Sequence, residues 1–412
     1  MGLSRLIAMD ISLPRLFYAA DVPVESTLHG SALLYRLLED YERQQLCIVE
    51  TGPQVFSPAK RLDGVRYESL AIGRSRWLQT RFNRLASFCL ALRAAAQASR
   101  LRQLALDFKV ESVLTVAHGF GWIAAAGLAK SMNLPLHLII HDDWPRVDTF
   151  PRWAAGWIDR IFGGIYRQAA SRLCVSPYME EEYARRYGVR GTVLYPSRAK
   201  DAPRFDGPSS RMTQGGSRFT AAYAGSINSP SYAAAVRAFA ECLADLGGEL
   251  LLFGPLSLGR IHSLGLDLPN VRLCGMVSSA ELIERCRSET DVLFVPMSFA
   301  PEELGPMMLN FPSKLTDYTA AGVPLLIRGP SDCSAVRWAR ENPGVAEVVD
   351  DETLASLSEV LRRLTSEPNH RLALARKAME MGDKCFSHAV AARTFHGALA
   401  GIMNRRDVEE EQ

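Results

Sequence analysis

The sequence predicts an α/β protein made of two Rossmann-like, doubly wound domains, each a parallel sheet covered by helices. Three observations predict this fold class. Short apolar, β-branched segments alternate with longer helical segments from end to end. The short segments are continuously apolar, which is typical of parallel strands buried on both faces. The chain has 412 residues, and a single core rarely grows beyond roughly 250–300 residues.

The predicted elements form two series with a polar segment between them. The strands of the first series are 13–20, 45–51, 112–117, 135–141, 172–176 and 192–196, and its helices include 31–43, 78–107, 122–132 and 179–187. The strands of the second series are 219–225, 249–254, 271–275, 292–296, 324–328 and 346–349. Because ligands bind beyond the carboxyl ends of such strands, two facing domains would share one cleft.

These series give the predicted domains. The first is 1–200 and the second 219–385, and the segment 201–218, rich in Gly, Pro and Ser, is predicted to link them. The remaining segment, 386–412, holds a helix from residue 388 to about residue 405 and an acidic tail. Its apolar positions allow the helix to pack on either domain.

Composition excludes several classes of protein. Hydrophobic residues make up 48% and charged residues 22%, as in globular domains. A net charge of +2 gives no reason to expect a nucleic-acid partner. None of the eight cysteines forms a C-x-x-C pair, which predicts reduced, mostly buried thiols. Without a signal-peptide pattern or a long apolar run, we expect a cytoplasmic protein, or one held at the inner face of the plasma membrane.

In the second half, several strands are followed by residues suited to binding a phosphate. Gly225, with Ser226 and Asn228, follows one strand, and the helix after Pro230 offers amide N–H groups to an anion. Gly254 ends the next strand, and Met276-Val277 follow a third. Each segment taken alone also fits an ordinary βα turn, so the prediction depends on their order and spacing.

The segment 311–324 is the most informative. Pro312-Ser313 suits the start of a helix, and Lys314 in its first turn opposes the helix dipole unless an anion such as a diphosphate compensates. Asp317, one turn later, is placed to accept hydrogen bonds from ribose hydroxyls. The alternative is a surface helix with a solvated Lys–Asp pair at i,i+3.

In the first half, His118 and the run His141-Asp142-Asp143 follow two predicted buried strands. Polar groups at the carboxyl ends of parallel strands face the ligand side of the sheet. His29 and Gly30 begin the helix after the first strand and are candidates for the same rim. A histidine at a strand end is often only a capping or core residue. No local spacing typical of a metal site appears, so no metal is predicted.

The segment 74–109 combines eight basic residues with a single acid, Asp107, and with apolar residues such as Trp77 and Phe82. One interpretation is a long surface helix with its arginines in water. The other is a contact with anionic lipid headgroups.

In this order, the segments resemble the retaining glycosyltransferases of family 4, which have the GT-B architecture. The most specific match is the run Lys-Leu-x-Asp-Tyr-x-Ala-Ala-Gly-Val-Pro from Lys314 to Pro324, which looks like the variant of O-antigen and capsule glycosyltransferases. His-Asp-Asp-Trp-Pro at 141–145 looks like a segment of the same subgroup. The resemblance covers most of the chain and is clearest over 218–349.

The resemblance implies a donor site in the second domain, an acceptor site in the first, and a final helix that crosses back onto the first domain. It implies that Asp317 binds the ribose, that Gly225 and Ser226 lie in the phosphate loop, and that the backbone of Met276 and Val277 reads the base. His141 takes the place of the histidine beside the reacting centre. Together with the strand-end positions, this makes His141, Asp142 and His118 the catalytic candidates.

Two departures from the family pattern stand out. Ser226 and Asn228 occupy the region where an Arg and a Lys are common, and Leu309 falls where the first acid of the Glu-x7-Glu pair is expected. Lys314 is a candidate for the lost positive charge, and Glu302 or Glu303 for the lost carboxylate, approaching from the preceding loop.

The predicted activity is transfer of a sugar from a UDP- or GDP-sugar to a saccharide or lipid-linked saccharide in cell-surface polysaccharide biosynthesis, with retention and with neither cofactor nor metal. One alternative is another sugar-nucleotide enzyme, such as an epimerase or a phosphorylase. The absence of a plausible carboxylate acid/base pair counts against an epimerase. The second alternative is a catalytically inactive binding subunit of a polysaccharide assembly complex, which Leu309 and Ser226 favour.

Overall fold

The computed structural model describes residues 13–26, 29–52, 58–72, 76–144, 150–214 and 216–401. It divides the chain into two compact units. The first unit runs to Tyr195 and resumes at Ala391, and the second comprises Pro196–Val390.

The first unit is built on a parallel sheet. Among the described residues, seven strands lie in the order β3-β2-β1-β4-β5-β6-β7. They are β1 Leu16–Ala20, β2 Leu46–Glu50, β3 Arg66–Ser69, β4 Ser112–Val116, β5 Leu136–Ile140, β6 Ser171–Cys174 and β7 Thr192–Val193. The accompanying helices are α1 His29–Leu38, α2 Asn83–Ala96, α3 Ala98–Phe108, α4 Gly121–Met132, α5 Arg152–Gln168 and α6 Pro177–Tyr187. Strands β1, β2, β4 and β5 are buried along their whole length, as helices on both faces require.

The second unit repeats the same plan. Six strands lie in the order β10-β9-β8-β11-β12-β13 within the described part of the chain. They are β8 Thr220–Ala224, β9 Glu249–Phe253, β10 Val271–Gly275, β11 Val292–Pro296, β12 Leu325–Arg328 and β13 Glu347–Val349. Its helices are α7 Arg211–Gln214, α8 Pro230–Asp245, α9 Leu258–Ser263, α10 Ser279–Glu289, α11 Pro301–Leu309, α12 Lys314–Tyr318, α13 Ser334–Glu341, α14 Leu354–Ser366 and α15 Pro368–Phe386. The strands again pair in parallel.

The last described helix, α16 (His388–Leu399), belongs mainly to the first unit. Phe395 and Leu399 are buried in the same core cluster as Leu16 and Tyr18 of β1. The hydrophobic spacing left the choice of domain open, and this packing decides it. The continuation of the helix to residue 405 and the acidic tail lie outside the described residues.

The structure corrects the interdomain linker predicted at 201–218, because this segment lies inside the second unit. Arg211 holds it there through hydrogen bonds of 3.0 and 2.9 Å to the carboxylate of Asp291, and Met212 is fully buried. The Gly, Pro and Ser residues make the backbone of this segment irregular. The segment nevertheless packs against the core of the second unit. The change of unit falls earlier, between Tyr195 and Pro196.

The predicted strands are all present, and the structure adds β3. This strand pairs with β2 at the edge of the sheet and has no buried position. Its sequence, Arg-Tyr-Glu-Ser, lacks an apolar run because an edge strand faces water. The helix predicted at 78–107 is two helices, α2 and α3, which meet at Gln97.

Candidate active site

The carboxyl ends of three neighbouring strands carry the polar residues of the first unit. Strands β1, β4 and β5 are adjacent in the sheet. Asp21 follows β1, His118 follows β4, and His141 and Asp142 follow β5. The parallel arrangement therefore brings to one edge residues that are far apart in sequence.

His118, His141 and Asp142 form one cluster, here called the His–Asp–His group. The Oδ2 atom of Asp142 lies 3.1 Å from Nδ1 of His118 and 3.3 Å from Nε2 of His141. Burial raises the pKa of Asp142, but the hydrogen bonds with His118 and His141 outweigh it and hold the pKa below its ordinary value. Asp142 is therefore an ionised acceptor between two imidazole rings. The side chain of His118 is 48% exposed and that of His141 12%, so the group is accessible chiefly from the His118 side.

The start of helix α1 packs against the ring of His141 in the His–Asp–His group. A Cβ atom at Gly30 would lie 3.2 Å from Cε1 of His141, so the absence of a side chain allows the backbone to touch the ring. Gly30, predicted at the rim of the first-unit site, therefore lies beside the ring of His141. His29 begins α1, but its side chain lies outside the described part of the structure.

Asp21, which the sequence analysis missed as a site residue, fixes the turn that carries His118. Its carboxylate accepts hydrogen bonds from Thr51 Oγ1 at 2.5 Å and from the backbone N–H of Phe120 at 2.7 Å. A Cβ atom at Gly119 would lie 2.1 Å from Asp21 Oδ2, and Gly119 has φ of +58°. Only glycine suits this close, left-handed position. The signal available in the sequence was an acid directly after a buried strand.

Asp143, predicted as an acceptor-side residue, is buried and acts as a structural anchor. It is 4% exposed, and Arg186 of α6 donates to its two oxygens at 2.5 and 3.1 Å. Tyr183 donates to the carbonyl of Trp144 at 2.6 Å and contacts Asp143 at 3.2 Å. The preceding residue, Asp142, is half-buried, whereas Asp143 and Trp144 are both buried. These bonds hold the segment that carries His141 and Asp142.

In the second unit, two glycines lie back to back at the ends of β8 and β9. Gly225 and Gly254 have φ of +135° and +144°, and a Cβ atom at Gly254 would lie 2.5 Å from the carbonyl oxygen of Gly225. A side chain at Gly254 would therefore push the neighbouring backbone away. This packing leaves the backbone of the glycine loop bare, as the approach of a ligand requires.

Lys314 reaches the glycine loop from α12. Its ammonium lies 4.1 Å from the ring centre of Tyr223, and a Cβ atom at Gly225 would lie 3.7 Å from its Nζ. Burial lowers the pKa of Lys314 to about 7. Among the described residues the ammonium has no carboxylate partner, so the solvated Lys–Asp pair considered from sequence is not formed. A half-buried ammonium without a carboxylate partner, beside a bare backbone, is a place where an anion is stabilised.

Three contacts position α12 and with it Lys314 and Asp317. Tyr318 Oη accepts a hydrogen bond from the N–H of Ala224 at the end of β8, at 2.5 Å. Ser279 Oγ, in the first turn of α10, donates to Asp317 Oδ2 at 2.9 Å. Arg198 donates to the carbonyl of Thr316 at 3.0 Å. The side chain of Lys314 therefore lies at the carboxyl end of β8. The side chain of Asp317 lies at Ser279, where the chain after β10 enters α10.

The remaining candidates of the second unit lie at the same edge. Ser226 is half-buried, and its carbonyl accepts from Tyr223 Oη at 2.8 Å, whereas Asn228 is exposed. Met276 is 67% exposed just after β10, a position open to a planar ligand, and Val277 is half-buried. Ser313 is exposed and its side chain makes no cap. Since α12 has five residues, the predicted contribution of its dipole is small.

Glu303 lies in the first turn of α11, which corrects the predicted loop position of Glu302 and Glu303. Its carboxylate accepts a hydrogen bond at 2.6 Å from Ser231, in the first turn of α8. Burial raises the pKa of Glu303, but the hydroxyl groups of Ser231, Ser298 and Ser229 outweigh it and lower the pKa. Leu309 is buried. The carboxylate of Glu303 therefore lies at the start of α8, the end that follows the glycine loop.

Comparison with known proteins gives a family match over part of the first unit. The family described as Glycosyltransferase Family 4 matches residues 53–197, which include His118, His141 and Asp142. A comparison with curated protein sequences finds no match.

Several solved structures are similar to the chain in fold. Anabaena HepE in complex with UDP-glucose has a TM-score of 0.66 at 14% identity over 93% of this chain and 99% of its own. Sucrose-phosphate synthase from Thermosynechococcus elongatus has a TM-score of 0.63 at 13% identity, covering 96% and 99%. The UDP-forming α,α-trehalose-phosphate synthase from Burkholderia vietnamiensis has a TM-score of 0.65 at 14% identity, covering 95% and 98%.

The chain therefore has the GT-B fold, as the sequence predicted. The family match over 53–197 and this fold together support a glycosyltransferase.

Proposed function

We propose that this protein transfers a sugar from a UDP-sugar to a saccharide or lipid-linked saccharide, with retention, in the biosynthesis of cell-surface polysaccharide. The observation that carries the proposal is Lys314, whose ammonium has no carboxylate partner in the described part of the chain and lies beside the bare backbone of Gly225. A nucleotide diphosphate supplies the anion that this arrangement lacks. Several solved structures similar in fold hold UDP or UDP-glucose, which favours uridine over guanosine as the base.

The proposed chemistry is positioning and electrostatic stabilisation. Lys314 and the amide groups of the glycine loop offset the charge of the leaving diphosphate, so no metal is needed to neutralise it. Asp317, held by Ser279, accepts hydrogen bonds from the ribose hydroxyls. In the first unit, the ionised carboxylate of Asp142 and the ring of His118 are hydrogen-bonding partners for sugar hydroxyls. Asp142 also fixes the ring of His141 beside the reacting sugar.

A direct assay tests this function. The full-length protein is incubated with single UDP- and GDP-sugars and a panel of saccharide acceptors, and both nucleotide release and the product are measured. We expect product formation with a UDP-sugar, and we expect NMR of the new linkage to show the anomeric configuration of the donor. Donor binding without any transfer would favour the inactive binding subunit. A changed sugar nucleotide without an acceptor product would favour an epimerase.

A surface of the first unit supports a lipid-linked acceptor. Trp77, Phe82 and Leu85 are 57%, 43% and 46% exposed before and within α2, and Trp153 at the start of α5 is 67% exposed. The ring centres of Trp153 and Phe88 lie 4.7 Å apart, which joins the two helices into one aromatic surface. Leu78 and Leu92 are exposed as well, so these side chains do not simply pack on the core.

Charge favours an anionic lipid surface as the occupant. Arg81, Arg84 and Arg93 are exposed around this aromatic surface. Each basic residue near an anionic membrane contributes about 1 kcal/mol, and shallowly inserted aromatic side chains add to it. No helix among the described residues is long and apolar enough to cross a membrane, so attachment would be peripheral.

Co-sedimentation with vesicles tests the membrane contact. Binding to anionic vesicles should fall as salt rises, because charge attraction is screened within about 8 Å at physiological ionic strength. Replacing Arg76, Arg81 and Arg84 by glutamine should weaken it further, whereas the matched variant R237Q/R260Q/R272Q, at three exposed arginines of the second unit, should bind like wild type. No binding at low salt would exclude this surface as a membrane contact.

A further inference from the structure

The His–Asp–His group has a geometry that hydrogen bonding to sugars does not require. The ligating atoms of His118, His141 and Asp142 all lie within 4.8 Å of one another. Two of the three separations share one atom: Oδ2 of Asp142 lies 3.1 Å from His118 Nδ1 and 3.3 Å from His141 Nε2. Among the described residues this is the one group of three or more such side chains that converge in this way.

These separations fit the coordination of a transition-metal ion. Zinc binds imidazole nitrogen and carboxylate oxygen at about 2.0–2.1 Å. At the tetrahedral angle, two such ligand atoms lie about 3.3 Å apart. The distances from Asp142 to both histidines therefore already match, and the third separation, between the two histidine nitrogens, is at most 4.8 Å. Two imidazoles and one carboxylate favour zinc or a similar ion over magnesium or calcium, which prefer oxygen ligands.

The surroundings hold the three ligands in place. The hydrogen bond from Phe120 N–H to Asp21 fixes the turn after His118. The Arg186–Asp143 pair fixes the chain directly after Asp142, and the backbone of Gly30 supports the ring of His141. Groups that restrain ligands in this way strengthen metal binding because less order must be gained on binding. The exposed side of the group leaves room for water or substrate as further ligands.

We propose that His118, His141 and Asp142 bind one zinc ion, and that zinc at this site inhibits sugar transfer. The inhibition rests on the proposed function, because the ion would occupy the nitrogen and oxygen atoms that otherwise contact the sugars. Metal binding itself does not rest on it. The donor side needs no metal, so zinc acts here as an inhibitor rather than as a cofactor.

The test uses metal-free, full-length protein without a polyhistidine tag. Calorimetric titration with zinc should give one site per chain, and cobalt(II) should give the visible absorption of a low-coordinate complex. H118Q and D142N should each weaken zinc binding at least about tenfold. The matched control is H262Q, because His262 is an exposed histidine in the second unit that also pairs with an aspartate, Asp267, at 2.8 Å. It should bind zinc like wild type.

Each outcome is decisive. Zinc binding that is absent at millimolar concentration, or unchanged in both H118Q and D142N with circular dichroism like wild type, overturns the site. Site-specific binding without any effect on transfer overturns the inhibition but leaves the site. Site-specific binding in a protein that transfers no sugar supports the site while the proposed function fails.

Discussion

The pKa of Lys314 predicts that donor binding depends on pH. Burial lowers this pKa to about 7, so the ammonium is about nine-tenths protonated at pH 6 and about one-tenth at pH 8. The diphosphate binds the charged form. Affinity is therefore fully present well below pH 7 and is lost as pH rises through the pKa. The dissociation constant of UDP-glucose should increase roughly tenfold from pH 6 to pH 8, equivalent to about 1.4 kcal/mol.

Calorimetry measures this effect in two ways. UDP-glucose has no group that titrates between pH 6 and 8, so a change in affinity reports on the protein. Binding near pH 7 should also take up part of a proton, seen as a heat that varies with the ionisation enthalpy of the buffer.

The decisive variant is K314M, which should bind more weakly and lose the dependence on pH. The matched control is K377M, because Lys377 lies in the same unit and pairs with Glu380 at 2.9 Å; it should behave like wild type. A dissociation constant that stays flat from pH 6 to 8 in the wild type, or a pH dependence that persists in K314M, would refute the reasoning.

Three further predictions follow from the site. D317A should raise the dissociation constant of UDP at least about tenfold, because a hydrogen bond to a charged group contributes about 1.5–3 kcal/mol, and its circular dichroism should match wild type; unchanged affinity would remove Asp317 from the site. Transfer should survive EDTA, since Lys314 and amide groups offset the diphosphate charge; loss of transfer that magnesium or manganese restores would contradict this. D143A should lower the free energy of unfolding in urea by about 1–3 kcal/mol, because it removes both oxygens that accept from Nη1 and Nη2 of buried Arg186, while Glu182 still accepts from its Nε at 2.6 Å; a loss below about 0.5 kcal/mol would show that Asp143 is not an anchor.

Local pattern was enough to predict the architecture. The twelve predicted strands follow from continuous apolar runs, because parallel strands covered on both faces leave that signal in the sequence. The GT-B class came from the resemblance of the ordered segments to a known family. The exposed edge strand Arg66–Ser69 leaves no such signal. The segment 201–218 was misassigned because its composition reports backbone irregularity, whereas its attachment depends on Arg211 meeting Asp291 from far along the chain.

The sequence by itself determined which residues lie at the strand ends. Only the tertiary structure decided what each of them does. Asp142 and Asp143 are adjacent and chemically identical. Yet Asp142 lies between two histidines, whereas Asp143 is buried in an ion pair with Arg186. Lys314 and Asp317 share a helix, yet one meets Tyr223 and the other Ser279. These partners are brought together by the order of strands in the sheets, and a local pattern of residues does not encode a contact between distant segments.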